Sequence, residues 1–159
     1  MRPIPSQRIN QKALTVWRIT GAIHSFLALL LLAGYFAVSY YVDLPDWISV
    51  MVVLLFIIEL LLEVFLLPKL RWKRWRYHVS EHEIELMHGV FIIRRTLIPM
   101  VRVQHVDTKQ GPLLRSYKLS TVTVSTAATV HEIPALSNEV ADGLRDHISQ
   151  LARVATDDV

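Results

Sequence analysis

Residues 19–41, ITGAIHSFLALLLLAGYFAVSYY, are followed after VDLPD (42–46) by WISVMVVLLFIIELLLEVFLL (47–67). Each apolar run is long enough to cross a bilayer core of about 30 Å, which takes about 20 helical residues. Only five residues separate them, so the two helices are expected to lie antiparallel as a hairpin. The first run is not read as a signal peptide, because no small-residue cleavage pattern follows it and a second run comes almost at once. The rest of the chain is organised around this pair. The flanks set which side the ends face, and about 80 residues remain after it for one small domain with a modest core.

Composition agrees with that division. Of 159 residues, 52% are hydrophobic and mean hydropathy is +0.35, too apolar for an ordinary soluble domain. No cysteine is present, which excludes disulfides and thiolate metal sites. The sequence pI of about 9.4 could suggest a nucleic-acid binder, but the distribution of charge argues against it. Residues 1–76 carry nine Lys or Arg against four acids, and residues 77–159 carry eight against ten. The basic excess therefore flanks the apolar runs, and the loop between them has no Lys or Arg. Positive flanks stay on the cytoplasmic side. The expectation is a multi-pass protein of the cell membrane with both termini cytoplasmic.

Residues 1–18 read as a cytoplasmic N-terminal arm, flexible over its first ten residues and helical in pattern from Gln11, and 19–67 as the transmembrane hairpin. Trp17 and Arg18 suit the inner interface, and Tyr35, Tyr40, Tyr41 and Trp47 an outer aromatic belt. Pro68 is expected to stop the second helix. A basic juxtamembrane segment, 68–76, follows; Lys69, Arg71, Trp72, Lys73, Arg74, Trp75 and Arg76 form a candidate membrane-surface anchor, each basic group worth about 1 kcal/mol beside anionic lipid. A plain topology anchor without lipid selectivity fits the same residues.

From Tyr77 the pattern turns to strands. Expected strands are 77–79, 83–87, 90–98 after a tight turn at His88-Gly89, 101–108, 121–125 and 129–133, the last ended by Pro134. Gly111-Pro112 opens one short helical turn. Ser137 or Asn138 starts a final helix with Val140, Leu144, Ile148, Leu151 and Val154 on one stripe. Residues 77–159 thus read as a cytoplasmic α+β domain of six or seven antiparallel strands closed by a C-terminal helix.

Within the second apolar run, Glu59 and Glu63 stand out, since carboxylates in hydrocarbon are costly and face a partner or a cavity. By helical rise Glu63 lies about 6 Å inside the inner end and Glu59 about 12 Å, with His24 of the first run about 7 Å inside the same end. The pairing expected is Glu63 with His24, leaving Glu59 for a partner helix or a substrate path. Helix–helix adhesion within the hairpin is the plainer reading. No metal site or cofactor is expected: His82-Glu83 starts a zinc-protease pattern, but Leu86 stands where its second histidine would be. Nor is a nucleophile evident. Ser120, Thr121, Thr123, Ser125 and Thr126 fall at strand spacing and form a hydroxyl-lined face, so the chain is read as non-enzymatic.

The residues Pro99-Met100-Val101-Arg102-Val103-Gln104-His105-Val106-Asp107, Gly111-Pro112-Leu113-Leu114-Arg115, Ser125-Thr126-Ala127-Ala128 and Ile133-Pro134-Ala135-Leu136 resemble bacterial membrane proteins with a PH-like domain of the YdbS type. The hairpin followed by such a domain fits as well, so the resemblance covers nearly the whole chain. It implies a PH-like fold, seven strands in a bent antiparallel barrel capped by a C-terminal helix. It also implies a subunit of a two-component membrane complex whose partner is a larger membrane protein with several PH-like domains, of a kind associated with resistance to bacteriocin-type membrane-active peptides. Phosphoinositide-binding PH domains use a basic loop between their first two strands; here that loop is Ser80-Glu81-His82-Glu83, and its acidity argues against headgroup binding there. Arg102, Gln104, Asp107 and Arg115 are candidates for a partner surface or, equally, for an internal network that fixes the turn at Gly111. The remaining alternatives are a stand-alone lipid-binding or scaffold module, a homo-oligomer, and a transporter subunit using Glu59 and Glu63. The partners expected are the lipid bilayer and another membrane protein, with no nucleic acid.

Overall fold

A computed structural model describes residues 4–42 and 45–157. Asp43 and Leu44, at the centre of the predicted inter-helix loop, lie outside the described residues, as do residues 1–3 and the last two of the predicted domain. The chain divides into two compact units, Leu14–Leu70 and a second that joins Met1–Ala13 to Arg71–Val159.

The first unit is the helical pair. Helix α1 spans Lys12–Ser39 and α2 spans Asp46–Leu61. One π-helical turn, Leu62–Leu66, then leads into α3, Leu67–Arg74. The apolar helix therefore does not end at Pro68, as the sequence suggested, but runs on to Arg74. The π turn supplies the reason. In its register the N–H of Leu67 bonds to the carbonyl of Leu62, five residues back, so the group opposite Pro68 is the Glu63 carbonyl. Proline has no N–H to give and clashes in a regular helix; the wider turn takes up the ring without breaking the helix. Both helices are long and apolar enough to cross a membrane, and none of the most apolar window of the second is buried. Leu31, Phe26, Leu55 and Phe65 are all largely exposed. A core helix of a soluble protein would hide such a surface.

The second unit holds seven strands in two sheets. One sheet has the order β1-β2-β3-β4: β1 Gln7–Arg8, β2 Arg76–Val79, β3 Glu83–His88, β4 Arg94–Pro99. The other is β5-β6-β7: β5 Val103–Lys109, β6 Leu119–Thr126, β7 Val130–Ser137. Every strand pairs antiparallel. A 3₁₀ turn, Met100–Arg102, joins the sheets, and α4, Pro112–Ser116, bridges β5 and β6. Helix α5, Asn138–Asp157, closes the unit against β5, β6 and β7.

Ile84, Leu86, Met100, Leu119, Val122, Val124, Ile133, Leu136 and Ile148 are the large side chains fully buried in this core. Gly111 and Pro112 open α4 as expected, the ring sitting where a helix has no use for the N–H.

Several local expectations are corrected. The N-terminal arm is not loose: Gln7 and Arg8 pair with Tyr77 and Arg76, Ile9 is buried, and the seventh strand comes from here rather than from 77–159. Asn10 fixes the arm. Its N–H donates to the Ala135 carbonyl, its carbonyl accepts from Ala13 N and Trp72 Nε1, and its Oδ1 accepts from Lys12 N. That last bond is an N-cap, and α1 starts at Lys12, next to Gln11 where the sequence pattern turns helical. The strand expected over 90–98 begins only at Arg94, because residues 89–93 form a longer loop. Strand β7 passes through Pro134 instead of ending there. The register slips between Ser120 and Val122, with an extra residue on β7. The slip falls beside Pro134 and Ala135, and Ala135 takes φ 53°. A bulge of this kind spares the N–H that proline lacks. On α5, Ala141, Ile148 and Ala152 lie inward while Val140 and Val154 are exposed, since a small residue allows the closest approach to the sheet.

Candidate functional site

The polar groups of the helical unit gather at one end of the pair. Gly21, His24 and Ser25 of α1 sit opposite Glu59 of α2 and Glu63 of the π turn. His24 Nδ1 is 4.0 Å from Glu63 Oε2. Ser25, buried, donates from Oγ to Glu59 Oε1 at 3.3 Å. Glu59 Oε2 is buried and, among the described residues, meets no hydrogen-bond donor. Gly21 lies so close to the Glu63 backbone that a Cβ added there would collide with its carbonyl oxygen. This is the carbonyl that Pro68 cannot serve, so the π turn, the proline and the glycine form one local arrangement. Toward the other end Tyr35 Oη and Ser49 Oγ meet at 3.1 Å. Between these rungs an apolar groove of about 320 Å³ is lined by Ala28, Leu32 and Tyr35 of α1 and by Val52, Phe56 and Glu59 of α2. Sequence reasoning had singled out His24, Glu59 and Glu63 but not Gly21 or Ser25. Their four-residue spacing, small-xxx-small, is the signal that marks close helix approach in lipid.

The basic segment is shared out differently from the expected anchor. Trp75 is only 5% exposed and its ring stacks on His88, with centroids 5.6 Å apart. It is a core residue and not free for a membrane surface, because β2 begins at the next position. Trp72 is half-buried through its bond to Asn10, and Arg74 Nη1 donates to the Val90 carbonyl. Lys69, Arg71 and Lys73 remain exposed, and Arg76 is half-exposed within β2. Burial, with Arg94, Arg71 and His131 nearby, lowers the pKa of His88 below its usual 6.5. Burial raises that of Tyr77.

The third set lies on the sheet unit. Arg102, Gln104, Asp107 and Arg115 are all exposed. The turn at Gly111 is held by other groups: Gln110 Nε2 donates to the Leu119 carbonyl at 2.9 Å and to Asn138 Oδ1 at 3.1 Å, and Ser120 Oγ donates to the same Oδ1 at 2.9 Å. Gln104 sits at a register shift between Val103 and His105. The shift turns His105 outward, where it meets Asp107 at 3.0 Å, instead of leaving it on the face of Val103. A depression of about 610 Å³ beside it is lined by Val103, Gln104, His105, Val106, Ser149, Ala152 and Arg153. Among the described residues no three His, Asp or Glu side chains converge as metal ligands would.

Comparison with known proteins adds the family. The model of the bacterial PH domain matches residues 19–152. The UPF0699 transmembrane protein YdbS of Bacillus subtilis (strain 168) is 51% identical over 159 residues, which is all of this chain and all of that protein. The UPF0699 transmembrane protein YdbT of the same strain is 24% identical over 83 residues, covering 50% of this chain and 17% of its own length. No solved structure matches. With two apolar helices ahead of two antiparallel sheets and a closing helix, and with that match across most of its length, the chain belongs to the bacterial PH domain family.

Proposed function

We propose that this protein is a non-enzymatic, multi-pass subunit of a cell-membrane complex, its termini and PH-like domain cytoplasmic, that supports resistance to bacteriocin-type membrane-active peptides. The observation that carries the reading is Glu59: one oxygen bonded to Ser25, the other buried beside an open apolar groove without a donor. An unsatisfied carboxylate oxygen at bilayer depth is expensive and calls for a polar group from another helix. The likeness to part of YdbT supports a partner of related build, since a match covering 17% of that protein leaves a much longer chain around it. Exposed Arg102, Gln104, Asp107 and Arg115 offer a polar face to a second domain.

The test is purification of the tagged full-length protein in mild detergent, with mass spectrometry of what accompanies it. A stoichiometric membrane protein carrying a bacterial PH domain is expected, and Glu59→Leu should reduce its recovery. Recovery of this chain alone, unchanged by the substitution, would overturn the complex. Loss of the gene should raise sensitivity to membrane-active bacteriocins; unchanged sensitivity would remove the resistance role.

A further inference from the structure

The loop 89–93 between β3 and β4 is apolar at its tip and outside the core. Phe91 is 86% exposed, Ile92 75% and Ile93 54%. Three consecutive large apolar side chains in water have no stabilising role in the fold, yet the loop is built to hold them out. Gly89 takes φ +127°, and a Cβ there would collide with the Ile92 carbonyl, so the loop folds back tightly on its own glycine. Arg74 ties the Val90 carbonyl to the end of α3. The surroundings are basic. No Asp or Glu occurs in residues 86–106, whereas Arg94, Arg95 and Arg102 do. Arg95 pairs with Glu85, and Arg94 is exposed.

We propose that the 89–93 loop is an interfacial membrane hook: Phe91, Ile92 and Ile93 enter the headgroup–acyl boundary of an anionic bilayer, while Arg74 and Arg94 meet its phosphates. Apolar side chains flanked by cations are the composition that seeks this boundary, where buried area and attraction to anionic lipid act together. Chain connectivity favours a lipid occupant over a protein one. Arg74, which holds the Val90 carbonyl, follows Leu67 by only seven residues of chain, so chain length keeps the loop within reach of any bilayer that holds the apolar run. The hook differs from the phosphoinositide pocket of PH domains, whose loop corresponds here to acidic 80–83. The proposal rests on the reading of the helical pair as membrane-spanning.

The absence of cysteine makes the test direct, because one introduced thiol labels one site. Full-length Ile92→Cys, carrying an environment-sensitive fluorophore, is reconstituted into vesicles of phosphatidylglycerol and phosphatidylcholine, with Ser116→Cys, at the exposed end of α4, as reference. Flotation checks incorporation. The expected result is blue-shifted emission at position 92 that acyl-chain bromines quench, no quenching at 116, and about a fivefold lower inserted fraction ratio with Arg94→Gln. Flotation with an unquenched label at 92 overturns the hook and leaves the spanning reading intact. Blue shift without bromine quenching means the loop is covered by a second copy, which also overturns it. Failure to float removes the spanning reading and the hook together.

Discussion

The two units of this chain solve opposite packing problems with the same kinds of residue. In the sheet unit, apolar side chains point inward: Ile84, Val122, Val124 and Ile133 have no exposure at all. In the helical unit they point outward, and α2 has no buried residue. In the first, the hydrophobic effect acts inside the protein and close packing makes each core side chain count. In the second, lipid tails are as apolar as leucine, so helix contact must come from close approach and a few polar bonds. The specificity of the helical pair is therefore concentrated in Gly21, Ser25, Glu59, Glu63 and the Tyr35–Ser49 contact, whereas that of the sheet unit is spread through its register.

This contrast predicts its own largest effect. Leu86→Ala in β3 should destabilise the sheet unit by about 2–5 kcal/mol, the range for truncating a buried leucine. Leu31→Ala on α1, where the side chain is 77% exposed, should change the stability of the helical pair by no more than about 0.5 kcal/mol. Hydrogen exchange of the full-length protein in detergent reads both, the first as faster exchange through β2 to β4. Equal effects would mean that the exposed helix face is covered by protein in the purified state.

How much of this was legible in the sequence follows from the same physics. Composition and run length located the helical pair, because a 20-residue apolar helix has few competing interpretations. Alternation and β-branched content located β3, β6 and half of β7, since both mark a pleated, packed strand. What escaped depended on single backbone events without a periodic signature. The π turn before Pro68 let the helix continue, the shift at Gln104 turned His105 outward, and the bulge at Ala135 carried β7 past Pro134. The β1 strand escaped because two residues, Gln7 and Arg8, make no pattern and pair with a partner some seventy positions away. At the candidate site the ionisable residues were conspicuous in an apolar run, while Gly21 and Ser25 looked like ordinary small residues there.

Gly21 sharpens the comparison at intermediate size. A Cβ meets backbone there, and backbone cannot rotate away as a side chain can. Gly21→Ala should therefore cost about 1–3 kcal/mol, as overpacking does, although alanine is the better helix former. Titration of the reconstituted protein with a denaturing detergent should separate the helices earlier in this variant. In contrast, Gly34, with nothing within 4 Å of an added Cβ, should accept alanine with no loss. If both variants behave alike, the close approach to the Glu63 carbonyl is not what holds the pair together.

The smallest effect is a pH dependence confined to the sheet unit. His88 lies against Trp75 and is half-buried, and its pKa is held below 6.5 first by desolvation, then by Arg94, Arg71 and His131. Both causes disfavour the charged imidazolium, burial by stripping its hydration and the cations by repulsion. The unfolded chain then binds a proton more readily than the folded one, and stability rises with pH across this range. The contribution is fully present above about pH 6.5 and is lost as the pH falls through 6.5 toward the lower folded value. Other groups also titrate there, so the readable quantity is the difference between the protein and His88→Gln. Melting temperature should fall more steeply on acidification in the parent chain. Added salt should shrink that difference by screening Arg94 and Arg71, and leave the desolvation part in place. A difference unchanged by salt would mean that the cations near His88 are not the cause, and that burial against Trp75 acts alone.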